Sequence, residues 1–528
     1  MGESNPSSRF QVPGRPLNLT DRFLDENLRA GRGDRVALIE DAPHGIRRFT
    51  YREVVARTNR WGHLLRDRGV RMEERVALVL PDGVDWVAAF FGAQKIGATT
   101  FFLNPKISAE ELAFYLEDSR ARVLVCTAEV AADLPDRTPH LLHAEVVNDG
   151  GHEARLNRFS AELEPAPTLE EDFAIWLYSS GSTGAPKAAV HRAADFVFNT
   201  ERYAKHVLQM SESDVTVSVP KLFFGYATGT NLLFPFYFGA TTVLFPDKPT
   251  PARMFELIER HHPTLVVNVP TLIAQMLTHW ESTDPRPALD GVRAFTSAGE
   301  ALPAELWKRW QDGPGVQILD GIGSAEMFHV FISNRMGEVV PGSLGRLVEG
   351  YGARIVGPEG QDCAPGEVGT LWVEGDSAAA FYWNRAERSR DVLRGRWVVT
   401  GDLFVRTENG HFHYQGRADD MMKVSGRWVS PGEVEDCLTA HSAVLEAGVA
   451  PFEVEGLTKP MAFVTLREPG EEPPGLEAEL RQWVADRLSP LKAPRRVAVV
   501  AELPRGDRDK LDRRRLARMA AESGVTDR

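Results

Sequence analysis

A run of glycine, serine and threonine residues that ends in proline and lysine is the segment best suited to bind phosphate. It reads YSSGSTGAPK over residues 178–187 and follows the strand-like run FAIWL. Glycines let backbone N–H groups approach an anion, hydroxyl groups add donors, and Lys187 adds a positive charge. The loop of P-loop NTPases carries serine or threonine directly after its lysine, whereas this sequence has Ala188 there. The segment therefore predicts a phosphate-binding loop outside that class, with an ordinary surface loop as the alternative.

The elements that must position this loop alternate between helix and strand. YREVVARTNRWGHLLRDRG (51–69) has apolar residues at helical spacing, and RVALVL (75–80) is a short buried-strand candidate. Beyond about residue 340 strands dominate, with a hairpin turn expected at Asn409–Gly410. After a boundary near 415–420 helices and strands alternate again. This pattern predicts an α/β architecture with largely buried strands.

Length, charge and cysteine usage narrow the class of protein. A chain of 528 residues predicts two or more domains, and a net charge of −13 argues against a main role in binding nucleic acid. The three cysteines are too far apart for a CxxC metal or redox pair. No apolar run reaches the roughly 18 residues of a membrane span, and the first residues lack the apolar region of a secretory signal. We expect a cytoplasmic enzyme, monomeric or homodimeric, with no nucleic-acid or membrane partner.

Four further motifs follow the phosphate-binding segment along the chain. They are DGIGSAEM (320–327), VVTGD (398–402), GRADDMMKVSGRWVSPGEVE (416–435) and LPRGDRDKLDRRRL (503–516). Together with YSSGSTGAPKAAVH they resemble the adenylate-forming superfamily of acyl-CoA synthetases, luciferases and non-ribosomal adenylation domains. The resemblance implies two half-reactions that use ATP, Mg²⁺ and CoA. A carboxylate attacks the α-phosphate of ATP and releases pyrophosphate, and a thiol then displaces AMP.

The resemblance also implies the domain organisation. Residues 1–418 would form a large amino-terminal domain with two α/β sheets and a small β unit. Residues 419–528 would form a small, mobile α+β domain that rotates about Asp419 between the half-reactions. The alternative for the segment around Asp419 is an ordinary interdomain linker. Gly426 and Arg427 would line the channel for the thiol of CoA.

The nucleotide site is the largest set of residues that the resemblance implies. Lys187 and its loop would hold the β- and γ-phosphates, Glu326 would coordinate Mg²⁺, and Asp402 would accept hydrogen bonds from the ribose. The full set for ATP and AMP is Ser179, Ser180, Gly181, Ser182, Thr183, Gly184, Lys187, Ala298, Gly299, Glu300, Asp320, Gly321, Ile322, Asp402 and Arg417. The alternatives are a solvated glutamate at 326, a turn aspartate at 402 and a surface salt bridge at Arg417.

Lys510 matches the lysine that bridges the substrate carboxylate and the α-phosphate in this superfamily. It stands in a run of arginines, so a solvated basic face or a contact to the 3′-phosphate of CoA is the alternative. Two residues depart from the superfamily pattern. Ala325 replaces the threonine before the metal-binding glutamate, and Asp509 replaces the glycine before the catalytic lysine. Loss of one neutral hydrogen bond costs about 0.5–1.5 kcal/mol, so Ala325 predicts slower and not abolished adenylation.

Residues 221–245 and 320–348 resemble the benzoate–CoA ligase branch of the superfamily. The match implies that an aromatic ring is enclosed by Phe224, Tyr226, Ala227, Ile322, Gly323 and His329. Small residues leave room for a flat ring that aromatic side chains bound, although plain core packing is the alternative for each. We therefore expect activation of benzoate, anthranilate or hydroxybenzoate. Rival hypotheses are an enzyme that loads a carrier protein and a non-catalytic aryl-adenylate binder.

Overall fold

The computed structural model describes residues 14–135, 138–181, 184–424, 427–454, 457–467, 473–505 and 511–523. Its strands alternate with helices along most of the chain. The strands are β1 (Val36–Ala42), β2 (Gly45–Thr50), β3 (Arg75–Val79), β4 (Thr99–Phe102), β5 (Val123–Cys126), β6 (His143–Val146), β7 (Phe173–Gly181), β8 (Gly184–Arg192), β9 (Val215–Ser218), β10 (Thr241–Leu244), β11 (Leu265–Asn268), β12 (Ala294–Ser297), β13 (Ile318–Gly323), β14 (Val330–Ser333), β15 (Arg346–Leu347), β16 (Gly352–Val356), β17 (Val368–Glu374), β18 (Phe381–Tyr382), β19 (Leu393–Arg394), β20 (Trp397–Arg406), β21 (Phe412–Arg417), β22 (Met422–Val424), β23 (Arg427–Val429), β24 (Val444–Val454), β25 (Leu457–Leu466) and β26 (Arg496–Val499).

The α-helices of the described residues vary from single turns to the five-turn α2. They are α1 (Glu26–Arg29), α2 (Tyr51–Asp67), α3 (Val84–Lys95), α4 (Ala109–Ser119), α5 (Ala128–Ala132), α6 (His152–Leu156), α7 (Ala193–Asn199), α8 (Gly225–Thr228), α9 (Phe234–Phe238), α10 (Pro251–His261), α11 (Pro270–Ser282), α12 (Ala304–Asp312), α13 (Ala386–Val392), α14 (Pro431–Thr439), α15 (Leu476–Arg487) and α16 (Arg513–Ser523). Short π-helical turns occupy Asp21–Asp25, Thr200–Ala204 and Gly229–Leu233, and a 3₁₀ turn occupies Ala325–Met327.

Two large mixed sheets and a smaller antiparallel sheet build the part of the chain before residue 418. One sheet has seven strands in the order β18-β8-β7-β4-β3-β5-β6, and the other has nine in the order β15-β14-β13-β12-β11-β9-β10-β1-β2. The smaller sheet pairs β16, β17, β20 and β19, with β21 on β20. The predicted α/β class with two sheets and a small β unit is therefore confirmed, and the expected hairpin turn at Asn409–Gly410 joins β20 to β21.

Helix α2 shows how local sequence signals and tertiary packing agree. Thr50 and Glu53 form a capping box at its amino terminus, which satisfies two backbone donors that a helix end leaves free. Its apolar stripe includes the fully buried Trp61. Gly62 and Gly92 bring α2 and α3 into close contact, since a Cβ atom added at Gly92 would lie 2.9 Å from the nitrogen of Gly62. Larger residues at either glycine would push the two helices apart.

The carboxyl-terminal segment folds around its own small sheet. Strands β24 and β25 form an antiparallel pair, β26 joins β25 in parallel, and β22 pairs with β23. Apolar side chains of α14 and α15 pack on this sheet. The predicted domain boundary between residues 418 and 419 falls in the connection between β21 and β22. Among the described residues, no helix is long and apolar enough to cross a lipid bilayer.

The phosphate-binding segment forms a β-hairpin where the sequence predicts a loop that ends at Lys187. Strands β7 and β8 are antiparallel, and Ser179 pairs with Lys187. The glycines and the proline suggest irregular structure, but the apolar run after Lys187 pairs with β7 on one side and with β18 on the other. Tertiary pairing therefore overrides local propensity and fixes the backbone on which Lys187 stands.

Candidate active site

Three side chains from distant parts of the chain meet beside this hairpin. The Nζ atom of Lys187 donates hydrogen bonds to Oε1 of Glu326 at 3.3 Å and to the hydroxyl of Tyr382 at 2.7 Å. The Tyr382 hydroxyl donates to the same Oε1 at 2.5 Å. Burial alone raises the pKa of Glu326, but the charge of Lys187 and the Tyr382 hydrogen bond outweigh it, so the pKa lies below its usual value. Glu326 is thus a buried, ionised carboxylate.

The turn that carries Glu326 is held from both sides. His191 on β8 is fully buried, with Nε2 2.6 Å from the carbonyl oxygen of Ala325 and Nδ1 3.0 Å from Asp195. On the other side, the backbone N–H of Ala379 donates to the carbonyl oxygen of Glu326 at 2.8 Å. The backbone on both sides of the carboxylate is therefore fixed by groups from the hairpin and from the segment before β18.

A strained backbone turn follows directly at Phe328. Its φ and ψ are 65° and −55°, and the N–H of His329 donates to the carbonyl oxygen of Met327 at 2.8 Å. This is a γ-turn with positive φ, a form that is rare and strained. The ring of Phe328 packs 4.5 Å from that of Phe196, centroid to centroid. The turn reverses the chain, so Glu326 and His329 have different neighbours although only two residues separate them.

His329 lies in an aromatic cluster. Its ring centroid is 5.4 Å from those of Tyr203 and Tyr226 and 4.8 Å from that of Phe234. Its Nε2 donates to the carbonyl oxygen of Tyr226 at 3.0 Å. Burial lowers the pKa of His329 to about 3, so the imidazole is neutral and its Nδ1 is an acceptor. Among the described residues no side chain or backbone group donates to that atom.

The residues expected around an aromatic ring are arranged about this histidine. Tyr226 lies in α8 and its hydroxyl bonds to Oγ1 of Thr296 at 2.7 Å. Gly323 allows strand β13 to approach the next strand, since a Cβ atom there would lie 2.5 Å from the carbonyl oxygen of His329. Ala227 is fully buried, while Phe224 is half-buried and packs against Phe223 in a tilted arrangement with ring centroids 4.4 Å apart. The structure brings Tyr226, Gly323 and His329 together, with Phe224 at the end of the same segment.

The ends of β12 and β13 carry the residues expected near the adenine and the phosphates. Ser297 pairs with Asp320 in register; residues 298–300 follow β12, and residues 321–322 lie within β13. Asp320 is buried, and burial raises its pKa to about 7, although hydrogen bonds from Ser297 and from two backbone N–H groups lower it. The buried hydroxyl oxygens of Ser179 and Ser324 have no hydrogen-bond partner within the described part of the chain. Most buried polar atoms in proteins are paired, so these two free hydroxyl groups suit a polar ligand.

Asp402 and Arg417 face each other across β20 and β21. Nη1 of Arg417 lies 3.1 Å from Oδ1 of Asp402 and 3.2 Å from the carbonyl oxygen of Thr400. Nε of Arg417 reaches Asp419 at 3.4 Å. The residue between Thr400 and Asp402 is Gly401, whose φ of 75° favours glycine.

Beyond this point Asp420 contacts both neighbouring parts of the chain, since its N–H donates to the carbonyl oxygen of Arg417 at 3.2 Å. Asp420 lies 3.3 Å from Nε of Arg513, and Arg513 also binds both carboxylate oxygens of Glu435 at 2.9 Å. Arg427 is exposed at the start of β23. Ser182, Thr183, Gly426 and Lys510 lie outside the described residues, as do the side chains of Ser180, Gly181 and Gly184.

A second group of potential metal ligands lies far from this site. Asp85, His152 and Glu153 place one ligand atom each within 4.8 Å of one another. However, the guanidinium of Arg57 lies 2.7 Å from Asp85 and also hydrogen-bonds Glu153. The guanidinium group of Arg57 therefore already balances the charge of these carboxylates, and the cluster is an internal ionic network.

Sequence reasoning missed Tyr382 and His191. Tyr382 lies in AAAFYWN, which reads as an apolar strand, and its partners are more than fifty residues away. His191 ends the phosphate-binding motif, and its spacing of four residues from Asp195 was the one available signal. That spacing on a helix start is too common to identify a functional pair.

Comparison with known proteins identifies relatives over nearly the whole chain. Residues 24–383 match the AMP-binding enzyme family, and residues 433–510 match the AMP-binding enzyme C-terminal domain. A benzoate–CoA ligase of Thauera aromatica is 41% identical over 97% of this chain and 98% of its own. A 4-hydroxybenzoate–CoA/benzoate–CoA ligase of Rhodopseudomonas palustris is 39% identical over 96% and 95%. The crystal structure of an anthranilate–CoA ligase in complex with anthranoyl-AMP superposes with a TM-score of 0.91 at 36% identity, over 97% of this chain and 99% of that one.

Proposed function

Because the chain belongs to the AMP-binding enzyme family, we propose that it is an AMP-forming aryl-CoA ligase. It would activate benzoate or an amino- or hydroxy-substituted benzoate to an acyl-adenylate and transfer the acyl group to CoA. The observation that carries the proposal is the two-residue link between Glu326 and His329. One end of that link is an ionised carboxylate beside Lys187, and the other lies in an aromatic cluster.

In the first half-reaction an oxygen of the aryl carboxylate attacks the α-phosphorus of ATP. The bond to the bridging oxygen breaks, and pyrophosphate leaves with the electron pair. Lys187 on β8 would bind the β- and γ-phosphates as a positive charge held at a fixed position. The free hydroxyl groups of Ser179 and Ser324 would hydrogen-bond polar groups of the nucleotide. Asp402 would accept hydrogen bonds from the ribose, with Arg417 beside it.

The residues present fit a magnesium ion at Glu326. The carboxylate is ionised, and no other residue of the described part of the chain hydrogen-bonds its Oε2, so a hard oxygen ligand is available. When bound, Mg²⁺ neutralises the negative charge that accumulates on the phosphate oxygens. The chain's own contribution is to hold that oxygen ligand in place and to exclude bulk water around it.

In the second half-reaction the thiol sulfur of CoA attacks the carbonyl carbon of the aryl-adenylate. The bond between that carbon and the phosphate oxygen breaks, and AMP leaves. Lys510 would act only in the first half-reaction, by neutralising the substrate carboxylate and the α-phosphate. Rotation about Asp419 would then bring Gly426 and Arg427 to the channel for CoA. These separate roles in the two half-reactions are part of the same proposal. The proposal also includes a cytoplasmic location and a monomeric or homodimeric state.

The experiment that tests the proposal is pyrophosphate release from ATP with a panel of aryl acids, followed by thioester formation. We expect benzoate, 2-aminobenzoate or a hydroxybenzoate to stimulate release at least tenfold over aliphatic acids of equal size. CoA and a holo-carrier protein are then offered as acceptors of the same acyl-adenylate. Absence of pyrophosphate release that depends on an aryl acid would contradict the ligase assignment. Acyl transfer to the carrier protein alone would mean that the carrier protein, and not CoA, is the acceptor.

A further inference from the structure

We propose that Tyr382 is a positioning residue of this site. Its hydroxyl engages Oε1 of Glu326 together with Lys187 and thereby presents the other carboxylate oxygen, Oε2, to the metal ion. The inference rests on the proposed function, because it concerns the carboxylate assigned to Mg²⁺. It adds a residue that neither the sequence motifs nor the chemistry described above assigns to the reaction.

The direction of each hydrogen bond at Tyr382 follows from the partners. An ammonium group only donates, and an ionised carboxylate only accepts. The phenol oxygen therefore accepts from Lys187 and uses its single proton for Glu326. The hydroxyl therefore links the two charged groups by one hydrogen bond to each.

This link leaves the two oxygens of Glu326 in different situations. Oε1 accepts from Lys187 and from Tyr382, whereas no other residue in the described part of the chain hydrogen-bonds Oε2. The backbone N–H of Glu326 itself also bonds the carboxylate. A carboxylate without these contacts rotates about its last side-chain torsion, which has a broad energy profile. With Oε1 held by two donors, rotation is restricted and one oxygen is presented as the ligand.

Tyr382 is itself attached to the elements that it connects. Its strand β18 pairs with β8, where Tyr382 lies opposite Ala189, two residues after Lys187. Its backbone N–H donates to Oγ of Ser389 at 2.9 Å, and its ring lies under Nζ of Lys187 at 4.1 Å. Just before β18, Ala379 donates to the carbonyl oxygen of Glu326. The same short segment therefore fixes both the backbone and the side chain of the metal-binding glutamate.

Mn²⁺ binding separates this role from a purely structural one. The dissociation constant for Mn²⁺ is measured by electron paramagnetic resonance in the presence of saturating α,β-methylene-ATP, whose methylene bridge prevents transfer of its adenylyl group. Residues that orient a metal ligand typically change metal affinity by about 10–100-fold when replaced. We expect Tyr382→Phe to weaken Mn²⁺ binding by at least about tenfold. The Mg²⁺ concentration for half-maximal adenylation rises in parallel, and the KM for the aryl acid stays unchanged.

The matched control is Tyr51→Phe, which removes a buried phenol hydroxyl that donates to Ala240 at 2.6 Å, in another part of the fold. It should leave Mn²⁺ binding unchanged, and thermal unfolding checks that both variants fold. A second comparison uses Glu326→Gln, in whose background Tyr382→Phe should have no further effect on Mn²⁺ binding. Wild-type Mn²⁺ affinity in Tyr382→Phe, or an equal loss in both backgrounds, would overturn the inference. A wild-type protein that releases no pyrophosphate would instead overturn the proposed function.

Discussion

Lys187 and Glu326 are 139 residues apart in the sequence, yet Nζ and Oε1 lie 3.3 Å apart. Both side chains are mostly buried, and removal of one member of a buried ion pair leaves the other charge without its partner. The pair therefore joins the phosphate-binding hairpin to the proposed metal site energetically as well as sterically.

The first prediction concerns the lysine of this pair. Lys187→Met should reduce the rate of adenylation by about a hundredfold, because a fixed cation is lost from the phosphates. It should also destabilise the protein by roughly 1–3 kcal/mol, because the Glu326 carboxylate loses a hydrogen-bond donor. Pyrophosphate release and thermal unfolding measure the two effects. The control is Lys205→Met, whose exposed ammonium pairs with Glu201 four residues away. Equal effects of the two substitutions would contradict a role of Lys187 in binding phosphate.

The second prediction concerns Ala325, which stands where the superfamily pattern has threonine. Ala325 is partly buried, and its carbonyl oxygen is already bound by His191, while the side chain adds no donor. Ala325→Thr should preserve the rate of adenylation or raise it, up to about tenfold, the value of one neutral hydrogen bond. Single-turnover formation of the aryl-adenylate measures this rate. A loss of tenfold or more would mean that the pocket is shaped around alanine.

The third prediction separates the two half-reactions at Lys510. Lys510→Ala should lower adenylation by about a thousandfold, because the charge that joins the carboxylate and the α-phosphate is lost. Thioester formation from preformed aryl-adenylate should stay within about threefold of wild type, since the proposed mechanism does not use the lysine in that step. Arg514→Ala, an exposed arginine of the same basic run, serves as the control. Equal losses in both half-reactions would contradict the role assigned to Lys510.

The fourth prediction concerns stability and pH in the ionic network around His152. Burial alone lowers the pKa of His152, but Asp85 and Glu145 outweigh it and raise the pKa to about 9. Because the folded pKa exceeds the unfolded value of about 6.5, protonation stabilises the folded state fully below pH 6.5. That stabilisation is lost as the pH rises through 9.

His152→Gln tests this effect. The difference in free energy of unfolding between wild type and variant, measured by denaturant titration, should be largest near pH 6 and shrink by pH 10, by an amount on the order of 2 kcal/mol. His63→Gln is the control, since His63 contacts a backbone carbonyl at the surface and no carboxylate. A difference that does not vary with pH would mean that His152 contributes only by packing.

The sequence was sufficient for the fold class because that class depends on repeated patterns. Apolar runs such as 75–80 and the turn at Asn409–Gly410 are local signals, and the structure contains β3 and the hairpin where they predict them. Strand order was out of reach, because pairs such as β1 with β10 join residues about two hundred positions apart. Hairpin β7–β8 was misread as a loop for the same reason, since its second strand depends on β18.

The same distinction between local sequence signals and long-range contacts applies to the candidate site. Motifs pointed to Lys187, Glu326 and His329 because each stands in a recognisable segment, and the structure shows what surrounds them. The role of Tyr382 could not be predicted from the sequence, because it depends on two hydrogen bonds to residues distant in the chain. The γ-turn at Phe328 was equally hidden, since a phenylalanine with positive φ has no sequence signal and persists only through the packing around it.

The contacts on either side of Asp419 limit how the two parts of the chain could swing relative to each other. Arg417 is bound to Asp402, and the N–H of Ala418 donates to the carbonyl oxygen of Gly401, so both residues belong to the amino-terminal part. Asp420 is bound by Arg513, which also binds Glu435, while its own N–H donates to the carbonyl oxygen of Arg417 at 3.2 Å. Asp420 therefore contacts both parts of the chain. The proposed rotation about Asp419 would have to break this backbone hydrogen bond, whereas the contacts that hold Arg417 and Ala418 could persist through it.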